Sequence, residues 1–139
     1  MSRIATIAGV ALLAATLCGC GDAEPGACAR PETPEPTEYR GGSVEGGVYR
    51  SAEWNGELLY YPGGAHYKIF HNLGAIPSQA SFYLSFERYG LAEGSVAEAA
   101  GNQVEIKAID EESITVVNGT CAEFYLLGVM STSGAPTSP

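Results

Sequence analysis

The stretch that decides the fold is Ala-Ser-Phe-Tyr-Leu-Ser-Phe-Glu at positions 80–87. Apolar side chains occupy its even positions and mostly polar ones its odd positions. In an extended strand successive side chains point to opposite faces, so this period of two separates the two sets. The stretch predicts a β-strand with one face in a core and the other in water.

The sequence after this strand predicts more of the same structure. Residues 104–117 alternate on both sides of an acidic turn at 110–112, which is the pattern of a β-hairpin. Asn118 and Gly119 follow, and because both residue types tolerate positive φ they predict another turn. Residues 124–130 are apolar at nearly every position, which predicts a strand covered on both faces.

Shorter strands are expected before residue 80, at 48–51, 57–61 and 67–71, with a turn at Pro62, Gly63 and Gly64. Residues 92–101 are compatible with either a short helix or a strand. The result is about seven short strands with frequent turn signals and little helix. The expected fold is all-β, an antiparallel and jelly-roll-like β-sandwich.

The composition fits one folded domain. The chain has 139 residues, of which 45% are hydrophobic and 17% charged, a balance unlike that of disordered chains. Seven Lys and Arg against sixteen Asp and Glu give a net charge of −9. An acidic surface repels phosphate backbones, so nucleic acid is not expected as a partner.

The chain begins with the pattern of a secretory signal peptide. Arg3 gives residues 1–3 a positive charge, and residues 4–17 are an apolar run of Ala, Leu, Ile and Val broken only by Thr and Gly. A permanent membrane-spanning helix needs about 20 such residues. The run therefore indicates a cleaved leader more than a transmembrane anchor.

The leader ends in Leu17, Cys18, Gly19 and Cys20, which resembles the lipobox of bacterial lipoproteins. The resemblance implies that a diacylglycerol is attached to the Cys20 sulfur, that residues 1–19 are removed, and that the new amino terminus is open to acylation by a fatty acid such as palmitate. Cys18 stands where the family usually has Ala, Ser or Thr. Lipidation of Cys18 itself is disfavoured, because Leu17 would then stand where the family has a small residue.

The same resemblance predicts the location of the mature protein. Several acyl chains bury enough methylene groups to make anchoring stable. Gly21 follows Cys20, instead of the Asp that retains enteric lipoproteins in the inner membrane, and this favours the outer membrane of a Gram-negative cell. Loss of Arg3 with the leader leaves six basic residues against sixteen acidic ones, a net charge of −10.

Three further segments follow the leader. Residues 20–47 are rich in Pro, Glu, Gly and Thr, which predicts an extended tether between the lipid and the domain. Residues 48–130 contain the predicted strands and form the β-sandwich domain. Residues 131–139 are small, polar and Pro-ended, and a disordered tail is expected.

Cys28 and Cys121 are the thiols that remain after cleavage and lipidation. In an oxidising compartment a disulfide between them is the expected outcome. Two unpaired cysteines are the alternative. A zinc site is less favoured, because two cysteines without clustered histidines are an incomplete ligand set.

The sequence contains no recognisable catalytic or metal-binding motif, and neither a cofactor nor a catalytic residue is predicted. His66 and His71 are five positions apart, which places them on opposite faces of a strand and argues against a shared ion. The acidic residues 110–112 lack the ligand spacing of a calcium loop and are interpreted as a solvated turn. An enzyme, such as a hydrolase, whose site joins residues distant in sequence remains an alternative.

Aromatic residues around the turn at 62–64 are the candidate ligand-binding residues: Trp54, Tyr60, Tyr61 and Tyr67. A flat apolar ring with a polar tip binds carbohydrates and proteins well while partly wet. The alternative is that these rings pack in the core or cover one end of a sheet.

Residues 69–77, Ile-Phe-His-Asn-Leu-Gly-Ala-Ile-Pro, and the alternating strand after them resemble a pattern in β-sandwich domains of phage tail fibres and related bacterial surface proteins. The similarity extends loosely over 67–130. It implies a domain that binds surface glycans or assembles with copies of itself, but it assigns no ligand contact. The sequence thus predicts an anchored, non-catalytic envelope protein that binds a glycan or an envelope protein, with a purely structural envelope role as a further alternative.

Overall fold

The computed structural model describes residues 35–132. The predicted leader, the predicted lipidation site at Cys20, the predicted tether up to residue 34 and most of the predicted tail lie outside the described residues. The described strands are β1 (Thr37–Tyr39), β2 (Ser43–Glu45), β3 (Val48–Arg50), β4 (Leu59–Tyr61), β5 (His66–Phe70), β6 (Gln79–Ser85), β7 (Ala97–Glu98), β8 (Glu105–Ile109), β9 (Ser113–Val117) and β10 (Phe124–Ser131). Two single-turn 3₁₀ helices occupy Gly90–Ala92 and Gly101–Gln103. No helix within residues 35–132 is long and apolar enough to cross a membrane.

The strands form two sheets that pack face to face, which confirms the predicted β-sandwich. The first sheet has the order β1-β5-β9-β8. The second has the order β2-β3-β10-β6-β7, and β4 also pairs with β10. The described pairs are antiparallel with one exception, since β1 runs parallel to β5.

The core lies between the two sheets and is filled from both. Its largest fully buried members include Ile69, Ile114 and Val116 from the first sheet and Tyr49, Tyr61, Leu126 and Met130 from the second. Where two of these residues share a strand, as on β9 and β10, they are separated by an even number of positions, as the period of two requires. Burial of these side chains supplies the main driving force for folding.

The alternating stretch at 80–87 forms β6 as predicted. Phe82 and Leu84 are buried in the core, and the strand ends at Ser85. Phe86 continues the sequence pattern but lies beyond the strand and is 74% exposed. The hairpin is also confirmed, as β8 and β9, with a register shift between Ile106 and Ala108 that marks a bulge.

The number of strands was underestimated: residues 35–132 form ten strands, where about seven were expected. β1 and β2 fall inside 20–47, the segment predicted as a tether, so that boundary was wrong and the folded domain begins earlier. Both strands have three residues and are largely exposed, so they carry no alternating pattern. Backbone pairing to a neighbouring strand orders them, which composition does not reveal. The ambiguous segment 92–101 contains the two-residue β7.

Two turns depend on glycine, and a third does not. Gly74 adopts φ +72° in the loop before β6, a conformation that favours glycine. Gly63 lies so close to the next loop that an added Cβ would be 2.7 Å from the Thr120 carbonyl oxygen. Asn118 turns the chain through its side chain, which accepts a hydrogen bond from the Thr120 N–H. Neither Asn118 nor Gly119 has positive φ, so the predicted reason for this turn was wrong.

The turn after β9 is held by the side chain of Asn118, which is fully buried. Its amide nitrogen donates to the carbonyl oxygens of Tyr61 and Ala122 at 3.1 and 3.0 Å. Its amide oxygen accepts from the Thr120 backbone N–H and hydroxyl at 3.0 and 2.7 Å. The Asn118 side chain therefore joins the end of β4 to the loop that leads into β10.

Candidate functional site

An open groove on the outer face of the second sheet is the candidate site. β4 and β10 pair antiparallel, and Tyr60 lies directly opposite Tyr125. Both side chains point away from the core, because the alternate residues Tyr61 and Leu126 are core members. The two rings are 5.5 Å apart between centroids and tilted by 51°. The two rings form the floor of the groove, and Tyr60 is 45% exposed.

Next to the groove, part of this outer face is covered by the loop between β3 and β4. The loop leaves the sheet at Ser51, whose hydroxyl accepts a hydrogen bond from the Gly128 N–H at 2.8 Å. Trp54 then packs edge-on against Tyr83 of β6, with the ring centroids 4.8 Å apart. Leu127, the outward residue that follows Tyr125 on the same face, is completely buried as a result. The covered area stops short of Tyr60 and Tyr125.

Charged side chains form the walls of the groove. Arg88, in the loop after β6, donates from Nε to a Glu57 carboxylate oxygen at 3.0 Å, and its Nη2 donates to the same atom. The two walls are also joined through the backbone, because the Leu58 N–H donates to the Arg88 carbonyl oxygen at 2.9 Å. Glu123 completes the lining of a depression of about 420 Å³.

A second depression of about 340 Å³ continues the groove toward Tyr39 and shares Glu57 and Tyr60 with the first. The phenol of Tyr39 donates to the Ser51 carbonyl oxygen at 2.9 Å. Burial and, to a smaller extent, the negative charge of Glu57 raise the pKa of Tyr39. The hydrogen bonding that the Arg88 guanidinium donates to the Glu57 carboxylate is the main cause that raises the pKa of Arg88. Tyr39 therefore stays neutral and Arg88 stays charged at physiological pH.

The four predicted ligand-binding aromatics do not share one exposed surface. Tyr60 lies in the groove and is exposed, as the binding hypothesis requires. Tyr61 is fully buried in the core, so a role in direct contact with a ligand is wrong for this residue. Trp54 is half-buried against Tyr83, and Tyr67 is half-buried with its hydroxyl donating to the Tyr60 carbonyl oxygen at 3.1 Å. Trp54 and Tyr67 thus support the groove from outside it.

The remaining groove residues, Glu57, Arg88, Glu123 and Tyr125, were not singled out from the sequence. They reach the site from three separate parts of the chain. Tyr125 lies in a stretch that was predicted to be covered on both faces. The loop between β3 and β4 covers Leu127 of this stretch but leaves Tyr125 in the groove. The pairing of Tyr125 with Tyr60 depends on strand register, which the sequence does not specify.

The two histidines occupy different environments. His71 is fully buried, and its Nδ1 accepts a hydrogen bond from the Leu73 N–H at 3.2 Å. The proton must then be on Nε2, which donates to the Asp110 carbonyl oxygen at 3.2 Å. His71 thereby ties the loop after β5 to the acidic turn at 110–112. His66 is half-buried on β5.

The acidic turn is exposed, as predicted. The Asp110 carboxylate accepts hydrogen bonds from the backbone N–H groups of Glu112 and Ser113 at 2.8 and 2.7 Å. These bonds lower the pKa of Asp110. Within residues 35–132 no group of three or more His, Cys, Asp or Glu side chains is arranged to hold a metal ion.

The predicted disulfide stays a prediction. Cys121 is exposed in the loop before β10, whereas Cys28 lies outside the described residues. Comparison of the chain with protein-family models, with curated proteins and with solved structures gives no match.

Proposed function

We propose that this protein is a lipid-anchored, non-catalytic component of a bacterial envelope, and that its β-sandwich binds a glycan in the groove at Tyr60 and Tyr125. The anchoring half of the proposal is supported by the resemblance of residues 17–20 to a lipobox. The binding half is supported by the groove and, more loosely, by the resemblance to surface-protein sandwiches.

The observation that carries the binding proposal is the aromatic pair of Tyr60 and Tyr125, which lies open beside the covered part of the same sheet face. Aromatic rings left partly exposed beside polar groups are typical of carbohydrate and protein contacts. A sugar has one apolar face of C–H groups for such a ring and a rim of hydroxyls for hydrogen bonds. Glu57, Glu123 and Arg88 line the groove at its edge and offer acceptors and donors for those hydroxyls.

The binding proposal is tested with the mature chain, purified from the envelope in detergent and screened on a glycan array. The double variant Tyr60→Ala/Tyr125→Ala is the principal probe. Truncation of a binding anchor costs about 2 kcal/mol or more, which corresponds to about 30-fold in affinity. The expected result is a loss of at least that size for the glycans that the unmodified chain retains.

Ile76→Ala is the matched control. Ile76 is 57% exposed in the loop that leads to the other end of β6, so its truncation removes exposed apolar surface without touching the groove. Glycan binding that survives the double variant would refute the site. Binding to an envelope protein and to no glycan would refute the ligand class, and turnover of a bound glycan would refute the absence of catalysis.

The anchor is tested by metabolic labelling with an alkyne-bearing palmitate analogue in a bacterial host. The expected result is label on the unmodified chain and on Cys18→Ser, and neither label nor membrane retention for Cys20→Ser. Label that persists in Cys20→Ser and disappears in Cys18→Ser would place the lipid on the other cysteine.

A further inference from the structure

The charges of the groove narrow the class of glycan. Its lining holds two carboxylates, Glu57 and Glu123, and one guanidinium, Arg88. Both hydrogen bonds described for the Arg88 side chain go to a single oxygen of Glu57. The Glu57 carboxylate therefore compensates the positive charge of Arg88, and Glu123 leaves the groove with a net charge of −1.

The surroundings add to this negative charge. Glu87 and Glu93 flank Arg88 in the same loop and are exposed, and the Glu93 carboxylate accepts a hydrogen bond from the Tyr89 N–H at 3.3 Å. The whole chain carries −9. An acidic group on a ligand would be repelled by these carboxylates, because Arg88, the cationic side chain of the lining, is already paired with Glu57. To bind Arg88, the acidic group would have to displace Glu57, and both outcomes are unfavourable.

A sugar without an acidic group meets no such penalty. Its hydroxyls donate to carboxylate oxygens in charge-assisted hydrogen bonds, which are stronger than bonds between neutral groups. Its apolar face covers the rings of Tyr60 and Tyr125. We infer that the ligand of the groove is a neutral saccharide that carries no carboxylate, phosphate or sulfate group; this inference rests on the proposed glycan-binding function.

The test uses neutral oligosaccharides of glucose, galactose, mannose and N-acetylglucosamine, each paired with its uronate or 6-phosphate derivative. Affinities are measured on the mature chain at low and at moderate salt. At least one neutral sugar should bind in a manner that requires Tyr60 and Tyr125, and its acidic derivative should bind at least tenfold more weakly. Added salt should reduce the difference, because it screens the repulsion.

Two charge variants locate the source of the preference. Glu123→Gln removes the uncompensated carboxylate of the groove. It should lower the ratio of the affinity for the neutral sugar to the affinity for its acidic derivative at least threefold. Glu111→Gln is the matched control, since it removes one negative charge from the exposed turn between β8 and β9 and should leave the preference unchanged.

The possible failures are distinguishable. An acidic derivative that binds as tightly as its neutral parent, or an acidic sugar bound through Tyr60 and Tyr125 when no neutral sugar is, would overturn the neutral-ligand inference alone. If Glu123→Gln and Glu111→Gln reduced the preference for the neutral sugar equally, the assignment of that preference to the charge of the groove would be overturned. If no saccharide binds, both the inference and the proposed function fail.

Discussion

Tyr60 and Tyr61 are neighbours in β4, yet Tyr61 is fully buried between the sheets whereas Tyr60 is 45% exposed on the outer face. The same division recurs on β10, where Leu126 faces the core and Tyr125 faces outward beside Tyr60. On the inner face of the second sheet tyrosine packs in the core, and on the outer face tyrosine is exposed to solvent. The residue type is tyrosine on both faces, so the face to which a ring points, and not its chemistry, decides whether it packs in the core or meets solvent.

The outer face is itself divided. Leu127 points to the same side as Tyr125 but is completely buried, because the loop between β3 and β4 covers it. Leu58, at the end of that loop, is 3% exposed, and neither leucine belongs to the core between the sheets. The outer face therefore holds a small buried layer and, next to it, the open groove. This arrangement fixes the groove walls to a packed support, which favours a preformed site.

The largest expected effect separates the two tyrosines of β4. Tyr61→Ala should lower the free energy of unfolding by about 3–5 kcal/mol, because it leaves a cavity in the core. Tyr60→Ala should change it by less than about 1 kcal/mol, as expected for a partly exposed side chain. Urea unfolding followed by circular dichroism measures both. Equal losses would show that the outer face contributes to the fold as much as the core does.

The sequence predicted the parts of the molecule that depend on local pattern. The strand at 80–87, the hairpin of β8 and β9 and the sandwich class follow from alternation and turn residues, which act over a few positions. β1 and β2 could not be found this way, because three exposed residues are ordered only by pairing with distant strands. The groove was half predicted for the same reason: Tyr60 was named, but its partner Tyr125 is 65 positions away and joins it through the pairing of β4 with β10.

The second prediction concerns the buried layer on the outer face. Leu127→Ala should cost about 2–4 kcal/mol, although Leu127 lies outside the core between the sheets. The matched control is Ile106→Ala on β8, where the side chain is 50% exposed and the expected cost is below about 1 kcal/mol. Thermal and urea unfolding report the difference. A cost for Leu127→Ala as small as that of the control would mean that the covering loop is not packed against the sheet.

Substitution of Asn118 should cause the next largest loss of stability, since its side chain holds the end of β4, the strand that carries Tyr60 and Tyr61. Asn118→Ala leaves the carbonyl oxygens of Tyr61 and Ala122 without this donor, and unpaired buried polar groups cost about 1–3 kcal/mol. Asn102→Ala is the control, because Asn102 is exposed and donates one hydrogen bond to the Gly119 carbonyl oxygen at 3.1 Å. The unfolding free energy of Asn118→Ala should fall well below that of Asn102→Ala, and the opposite ranking would contradict the bracing role.

The smallest effect distinguishes the two core tyrosines from each other. Tyr49 and Tyr61 are almost equally buried, but the Tyr49 hydroxyl donates to the Gly41 carbonyl oxygen at 2.9 Å, whereas the Tyr61 hydroxyl has no hydrogen-bonding partner among the described residues. Tyr49→Phe should therefore destabilise the domain by about 1 kcal/mol. Tyr61→Phe removes a desolvated polar group and should leave the unfolding free energy unchanged or raise it. A loss for Tyr61→Phe equal to that for Tyr49→Phe would show that the Tyr61 hydroxyl contributes to stability.

The dependence of stability on alkaline pH is a control for both Tyr49→Phe and Tyr61→Phe. Burial raises the pKa of Tyr49 and of Tyr61 above the ordinary value for a phenol, so both stay protonated in the folded state at a pH where unfolded tyrosine ionises, near 10. The folded state then binds more protons than the unfolded state, and stability must fall as the pH rises above that value. Each Phe variant lacks one such group, so its unfolding free energy should fall less steeply with alkaline pH than that of the unmodified chain. The two slopes should be alike even though the two variants differ in stability at neutral pH, because burial and not the hydrogen bond is the main cause of both shifts.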